Sequence, residues 1–173
     1  MLLRIDDYEK YGLDPHDSSL AVDLEAVEHS IRKATNNRFH VRSCRVEAAS
    51  SGGVLLGVCA GICPGDTVHV TGSGANDGLY VVKCSGRKNL TLDRALADAP
   101  FNRCTLVRYP PDVVRGAVRM VEYDRKMRPK DGIASESLSR HSVSYEHADG
   151  ASLIAGYPPE VSSFLKPYMR ARF

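Results

Sequence analysis

The chain has 173 residues, 43% of them hydrophobic and 25% charged, with a formal net charge of +2. These values describe one globular domain, or one domain carrying an insert, and they exclude a disordered chain. No run of about 18 apolar residues is present to cross a bilayer, and the opening MLLRIDDYEK sets acids directly after a short apolar run, unlike a secretory signal peptide, so cytosolic synthesis is expected.

In chain order, Ile5–Tyr11 has room for one or two helical turns before Gly12, and Asp14-Pro15 reads as a connector. Asp17 and Ser18 are N-cap candidates for a helix over 18–37, in which Leu20, Leu24, Val27, Ile31 and Ala34 form one apolar stripe. Asn36-Asn37 is its stop. From about His40 to Arg108 the texture changes to short strands: Val41–Ala48, Val54–Val58, Thr67–Thr71, Leu79–Cys84, Asn89–Leu92 and Cys104–Arg108. Alternation of Val68 and Val70 against Thr67, His69 and Thr71 is the period-two signature of a half-buried strand. Gly72–Gly78 holds turn-forming residues and reverses the chain as a surface loop that shortening should not harm.

Tyr109-Pro110-Pro111 marks the return to helix, with Val114, Ala117, Val118 and Val121 as a second stripe that should pack on the first. This helix ends by Arg128. The polar stretch Gly132–Gly150 reads as an extended segment or hairpin, and Tyr157-Pro158-Pro159-Glu160 opens a last helix with Val161, Phe164 and Leu165 inward, stopped or kinked by Pro167. The expected fold class is therefore α+β: a small helical bundle with leading, middle and C-terminal helices, 1–39 with 109–173, and an inserted antiparallel β barrel or sandwich, 40–108.

Several groupings of reactive residues stand out in the sequence. Gly72–Gly78 has the glycine density of a phosphate loop, but a strand follows where a phosphate loop needs a helix N-terminus. Cys59, Cys63, His69 and Cys84 lack the two close pairs of a zinc site, and the five cysteines read as small buried thiols rather than a disulfide framework. His141, Ser142 and Asp149 have the letters of a hydrolytic triad without a strained nucleophile turn. Composition and motifs therefore place no catalytic residue, metal or cofactor. Charge is unevenly spread: residues 1–28 hold eight acids against Arg4 and Lys10, while 108–130 hold seven bases against three acids. Such halves suit solvated helix faces or complementary surfaces between copies.

The C-terminal third carries a resemblance. Gly132-Ile-Ala-Ser-Glu-Ser-Leu-Ser-Arg-His-Ser-Val-Ser-Tyr145, then Gly156-Tyr-Pro-Pro and a short helix ending in Tyr168-Met-Arg-Ala-Arg, resembles the head-tail connector (adaptor) proteins of tailed bacteriophages, over residues 111–173 and with 18–37 as the leading helix. Ser139-Arg140-His141 stands where a glycine-aspartate pair is common in that family, and the β insert enlarges it. The resemblance implies a non-enzymatic homo-oligomer, a dodecameric ring beneath the portal protein in the virion neck. Such a ring is made in the host cytoplasm, joins head to tail, and lets packaged DNA pass through its lumen without sequence-specific or membrane contact. Tyr168, Met169, Arg170, Arg172 and Phe173 are then expected to dock on the portal, with Arg115, Arg119 and Arg125 facing Asp23 and Glu28 between protomers. A stopper or tail-completion protein of the same neck is the alternative, and a small nucleic-acid-binding protein using the barrel and the basic helix is a further one.

Overall fold

The computed structural model describes residues 2–3, 7–127, 135–138, 141–144 and 153–171, with 135–138 and 141–144 described by their backbone. The fold is α+β, three helices with a closed six-strand antiparallel barrel inserted between the first and second. The chain divides into two compact units, Arg38–Tyr109 and Leu2–Asn37 with Pro110–Phe173. No helix among the described residues is long and apolar enough to cross a membrane.

In the helical unit, a 3-10 turn at Glu9–Tyr11 ends on Gly12, and Ile5 and Asp6 of the expected turn lie outside the described residues. Helix α1 spans Leu20–Thr35 and α2 spans Pro111–Lys126, the latter begun by a proline whose missing N–H costs nothing there. Their apolar stripes meet: Leu20, Leu24, Val27 and Ile31 are buried against the α2 face that carries Val114, Ala117, Val118 and Val121. Val113 and Met120 add to that core. Asn36, in the left-handed conformation that asparagine tolerates, stops α1 where expected.

In the barrel unit the strands are β1 (His40–Ser51), β2 (Val54–Leu55), β3 (Thr67–Thr71), β4 (Gly78–Ser85), β5 (Leu90–Leu92) and β6 (Ala99–Val107), joined in the order β1-β2-β5-β4-β3-β6 and back to β1. Period-two side chains fill the interior, with Leu55, Val68, Val70, Val82, Leu90, Leu92, Cys104 and Leu106 at its centre. Strands β1 and β6 outrun their expected bounds, because they pair with each other along most of their length. The strand expected over Val54–Val58 stops at Leu55, and beyond it the chain passes directly against β1, where a Cβ at Gly57 would lie 2.8 Å from Ala48 Cβ and from Val46 Cγ2.

The loop between β3 and β4 departs from expectation. Its Asp77 carboxylate caps the Ser73 and Gly74 N–H groups, but Asn76 turns inward and is buried. Asn76 Nδ2 donates to Asn102 Oδ1 at 2.9 Å and to the Ala97 carbonyl at 2.9 Å, and its Oδ1 accepts from Ala97 N–H at 2.8 Å. Ser50 Oγ completes the network, accepting from Asn102 Nδ2 and donating to the Ala97 carbonyl. Asn76 thus makes the loop a polar plug that ties it to Ser50 of β1, Asn102 of β6 and the Ala97 backbone.

After α2, strands β7 (Ser135–Leu138) and β8 (His141–Ser144) form the expected hairpin, pairing Ser135 with Ser144 and Leu138 with His141. The remainder of the Gly132–Gly150 stretch, with Ser139-Arg140 and Asp149, lies outside the described residues. Helix α3 (Pro159–Ser162) passes directly into a 3-10 helix over Ser163–Tyr168 that contains Pro167.

Candidate functional site

The C-terminal arm is placed by its neighbours in the helical unit. Leu165 is buried at its base, and the Phe164 ring lies over Gly116 of α2, where any Cβ would overlap it. Beyond Pro167 the backbone is held at three points: Arg170 N–H donates to the Thr35 carbonyl at 2.8 Å, Asn36 Nδ2 to the Ala171 carbonyl at 3.0 Å, and Asn37 Nδ2 to the Tyr168 carbonyl at 3.3 Å. The C-terminal carbonyls and side chains that end α1 are therefore the clamp. Tyr168 reaches the first turn of α2, its hydroxyl 2.8 and 2.9 Å from the two Asp112 carboxylate oxygens. That hydrogen bond raises the phenol pKa, since it exists only for the neutral hydroxyl.

This arrangement separates the residues expected to dock. Tyr168 is committed to its own bundle, whereas Met169 is 44% exposed and Arg170 is exposed, both projecting from a backbone that cannot move away without breaking its hydrogen bonds. Arg172 and Phe173 lie outside the described residues. A thioether beside a guanidinium on a fixed backbone suits contact with an apolar pocket rimmed by acids.

The residues expected between protomers divide as well. Arg115 and Arg119 lie exposed on α2, with Lys126 on the same face. Arg125 and Asp23 instead meet within the chain: Arg125 Nε donates to Asp23 Oδ2 at 2.7 Å, Nη1 to Asp17 Oδ2 at 2.5 Å and Nη2 to Ser19 Oγ at 2.8 Å. The guanidinium fork thereby ties the end of α2 to the start of α1, and the bond from Ser19, with that from Arg125, holds the Asp17 carboxyl down at about 2. Glu28 is 4% exposed on the inner face of α1, so it is a packing residue rather than part of an outer surface.

The barrel residues weighed for zinc are dispersed. Cys63 and Cys84 are exposed, Cys59 is partly buried, and among the described residues no three His, Cys, Asp or Glu side chains converge as metal ligands. His69 instead shares a hydrogen bond with His40, Nδ1 to Nε2 at 2.9 Å. Cys104 is buried in the barrel core, and burial pushes its thiol up to about 12, which leaves it un-ionised near neutral pH. The clamp residues Asn36, Asn37 and Asp112 and the seat at Gly116 were not foreseen; Asn36-Asn37 read as a helix stop, and the double asparagine was the available signal. No protein-family model matches this chain, and no curated protein matches it.

Proposed function

We propose that this chain is a structural head-tail connector, an adaptor that assembles into a ring beneath the portal in the neck of a tailed phage and links head to tail around the DNA channel. The observation that carries the reading is the C-terminal arm, clamped by Thr35, Asn36 and Asn37 while Met169 and Arg170 face outward. An arm fixed before binding loses little conformational entropy on docking, which favours its use as an anchor. The resemblance of residues 111–173 to connectors supports the same reading, as does the order of elements, in which helices lead into a hairpin and a proline-initiated terminal helix.

Arg115, Arg119 and Lys126 supply one charged face for a neighbour in the ring, and a ring of identical copies needs two different faces on each. The test spares the clamp. Met169→Ser with Arg170→Ser leaves every backbone hydrogen bond of the arm intact, so the protein should fold as before yet lose retention on immobilised portal by about tenfold or more, the size of one hot-spot contact. Undiminished retention would remove the arm from the interface.

A further inference from the structure

The barrel closes through β2, whose two residues pair with Ser50 and Ser51 of β1 and, at Leu55 alone, with Leu90 of β5. Among the described residues most of the long strand β1 is therefore paired with a strand on its β6 side only, the chain at Gly57 and Gly61 lying against its Val46, Ala48 and Cys44 side chains without strand pairing. Ala49 is the last residue joined on the other side, its carbonyl accepting from Leu56 N–H at 2.8 Å. Backbone groups alternate in direction along an antiparallel strand, so Glu47 and Arg45 aim their N–H and C=O at the same open side as Ala49. Edge strands are commonly guarded by charged side chains. Here those side chains lean the other way: Glu47 accepts from Arg103 Nε at 2.7 Å, and Arg45 Nε donates to Thr105 Oγ1 at 3.2 Å, both toward β6.

The apolar packing shows the same gap. Val68 and Val70 of β3 and Cys104 of β6 are fully buried, whereas Cys44, Val46 and Ala48, the inward residues of β1, are only partly buried. Beside the open edge Leu56 is 50% and Val58 37% exposed. The chain also holds a second unfinished sheet, since among the described residues β7 and β8 pair only with each other. A two-stranded hairpin is marginal in water until a third strand joins it.

We propose that the β7–β8 hairpin of one copy adds to the open edge of β1 in the next copy, extending the barrel sheet across the ring interface. The hairpin gains its third strand, the Arg45 and Glu47 backbone groups gain partners, and Leu56 and Val58 are covered. Donor and acceptor are different surfaces of the same chain, so the contact is head-to-tail and repeats around a ring. This rests on the ring reading above.

The test is hydrogen exchange on the full chain, compared between dilute monomer and the assembled species. The Arg45 and Glu47 amides should each exchange roughly two- to tenfold more slowly after assembly, the slowing expected for one new hydrogen bond each. Glu47→Pro removes an N–H on the open side, where an edge strand accepts proline, together with the exposed ion pair to Arg103, so Glu47→Gln, which keeps the N–H and loses that ion pair, is its control and should still assemble; replacing Ser135–Ser144 by glycine and serine removes the donor, and circular dichroism of each should match the parent while assembly is lost in the proline and hairpin variants. If either variant fails to fold, the exchange comparison on the unaltered chain still decides. An assembled ring with fast-exchanging Arg45 and Glu47 amides overturns this inference and leaves the ring reading standing. Slow exchange of those amides already in the monomer overturns it too, since the partner strand would then be in the same chain. A chain that stays monomeric with and without portal overturns both.

Discussion

Asn76→Ala tests whether the polar plug holds the barrel. The substitution strands one buried group, Asn102 Oδ1, and takes a partner from the N–H of Ala97, an exposed residue whose N–H can turn to water. The Ala97 carbonyl keeps its bond from the Ser50 hydroxyl. At about 1–3 kcal/mol for the one buried orphaned group, the loss is a substantial share of the about 5–15 kcal/mol that stabilises an ordinary domain. The assay is urea denaturation read by hydrogen exchange at β3 and β6 amides, which isolates the barrel from the helical unit. Ala75→Ser, one residue away and exposed, is the control and should shift stability by less than about 0.5 kcal/mol. Replacing Ser73–Asp77 by a shorter glycine turn should behave like Asn76→Ala. A variant whose barrel amides exchange as in the parent would refute the plug.

In the helical unit, Gly116→Ala drives a methyl into the Phe164 ring and should cost about 1–3 kcal/mol, seen as a lowered melting temperature and faster proteolysis of the C-terminal segment. Val118→Asp buries a charge between α1 and α2 and should abolish soluble expression or unfold the helices by circular dichroism. The Asp17 carboxyl is held down at about 2 in the folded protein against an ordinary value of about 3.9, so its contribution is complete above the ordinary value and is lost as pH falls between the two; Asp17→Asn should remove that acid-side step from an unfolding titration. Tyr168 shifts the other way. Its raised phenol stabilises the fold below the ordinary tyrosine value and ceases to as pH rises through the folded one, and Tyr168→Phe should erase that late step from an ultraviolet titration.

Periodicity carried the fold class. Leu20, Leu24, Val27 and Ile31 at steps of four, three and four, and Val68 and Val70 at steps of two, report local geometry, and local geometry is what repeats in a sequence. The inward turn of Asn76 was not legible, because asparagine in a glycine-rich loop looks the same whether it faces water or three partners distant in the chain. The same reason hid the contact between Arg125 and Asp23, residues 102 positions apart: charge asymmetry shows that two surfaces suit each other without showing whether one copy or two supply them. The clamp on the C-terminal arm depends on Thr35 and Asn36 meeting Arg170 and Ala171, a long-range closure with no local signature.

The most direct test of the adaptor reading is the mass and image of the purified full chain, alone and mixed with portal, by native mass spectrometry and negative-stain electron microscopy. The account predicts a closed ring of identical copies with a central channel, formed alone or on the portal and seated on one portal face. A species that stays at the 18.9 kDa of one chain under both conditions, with no density added to the portal, would contradict it.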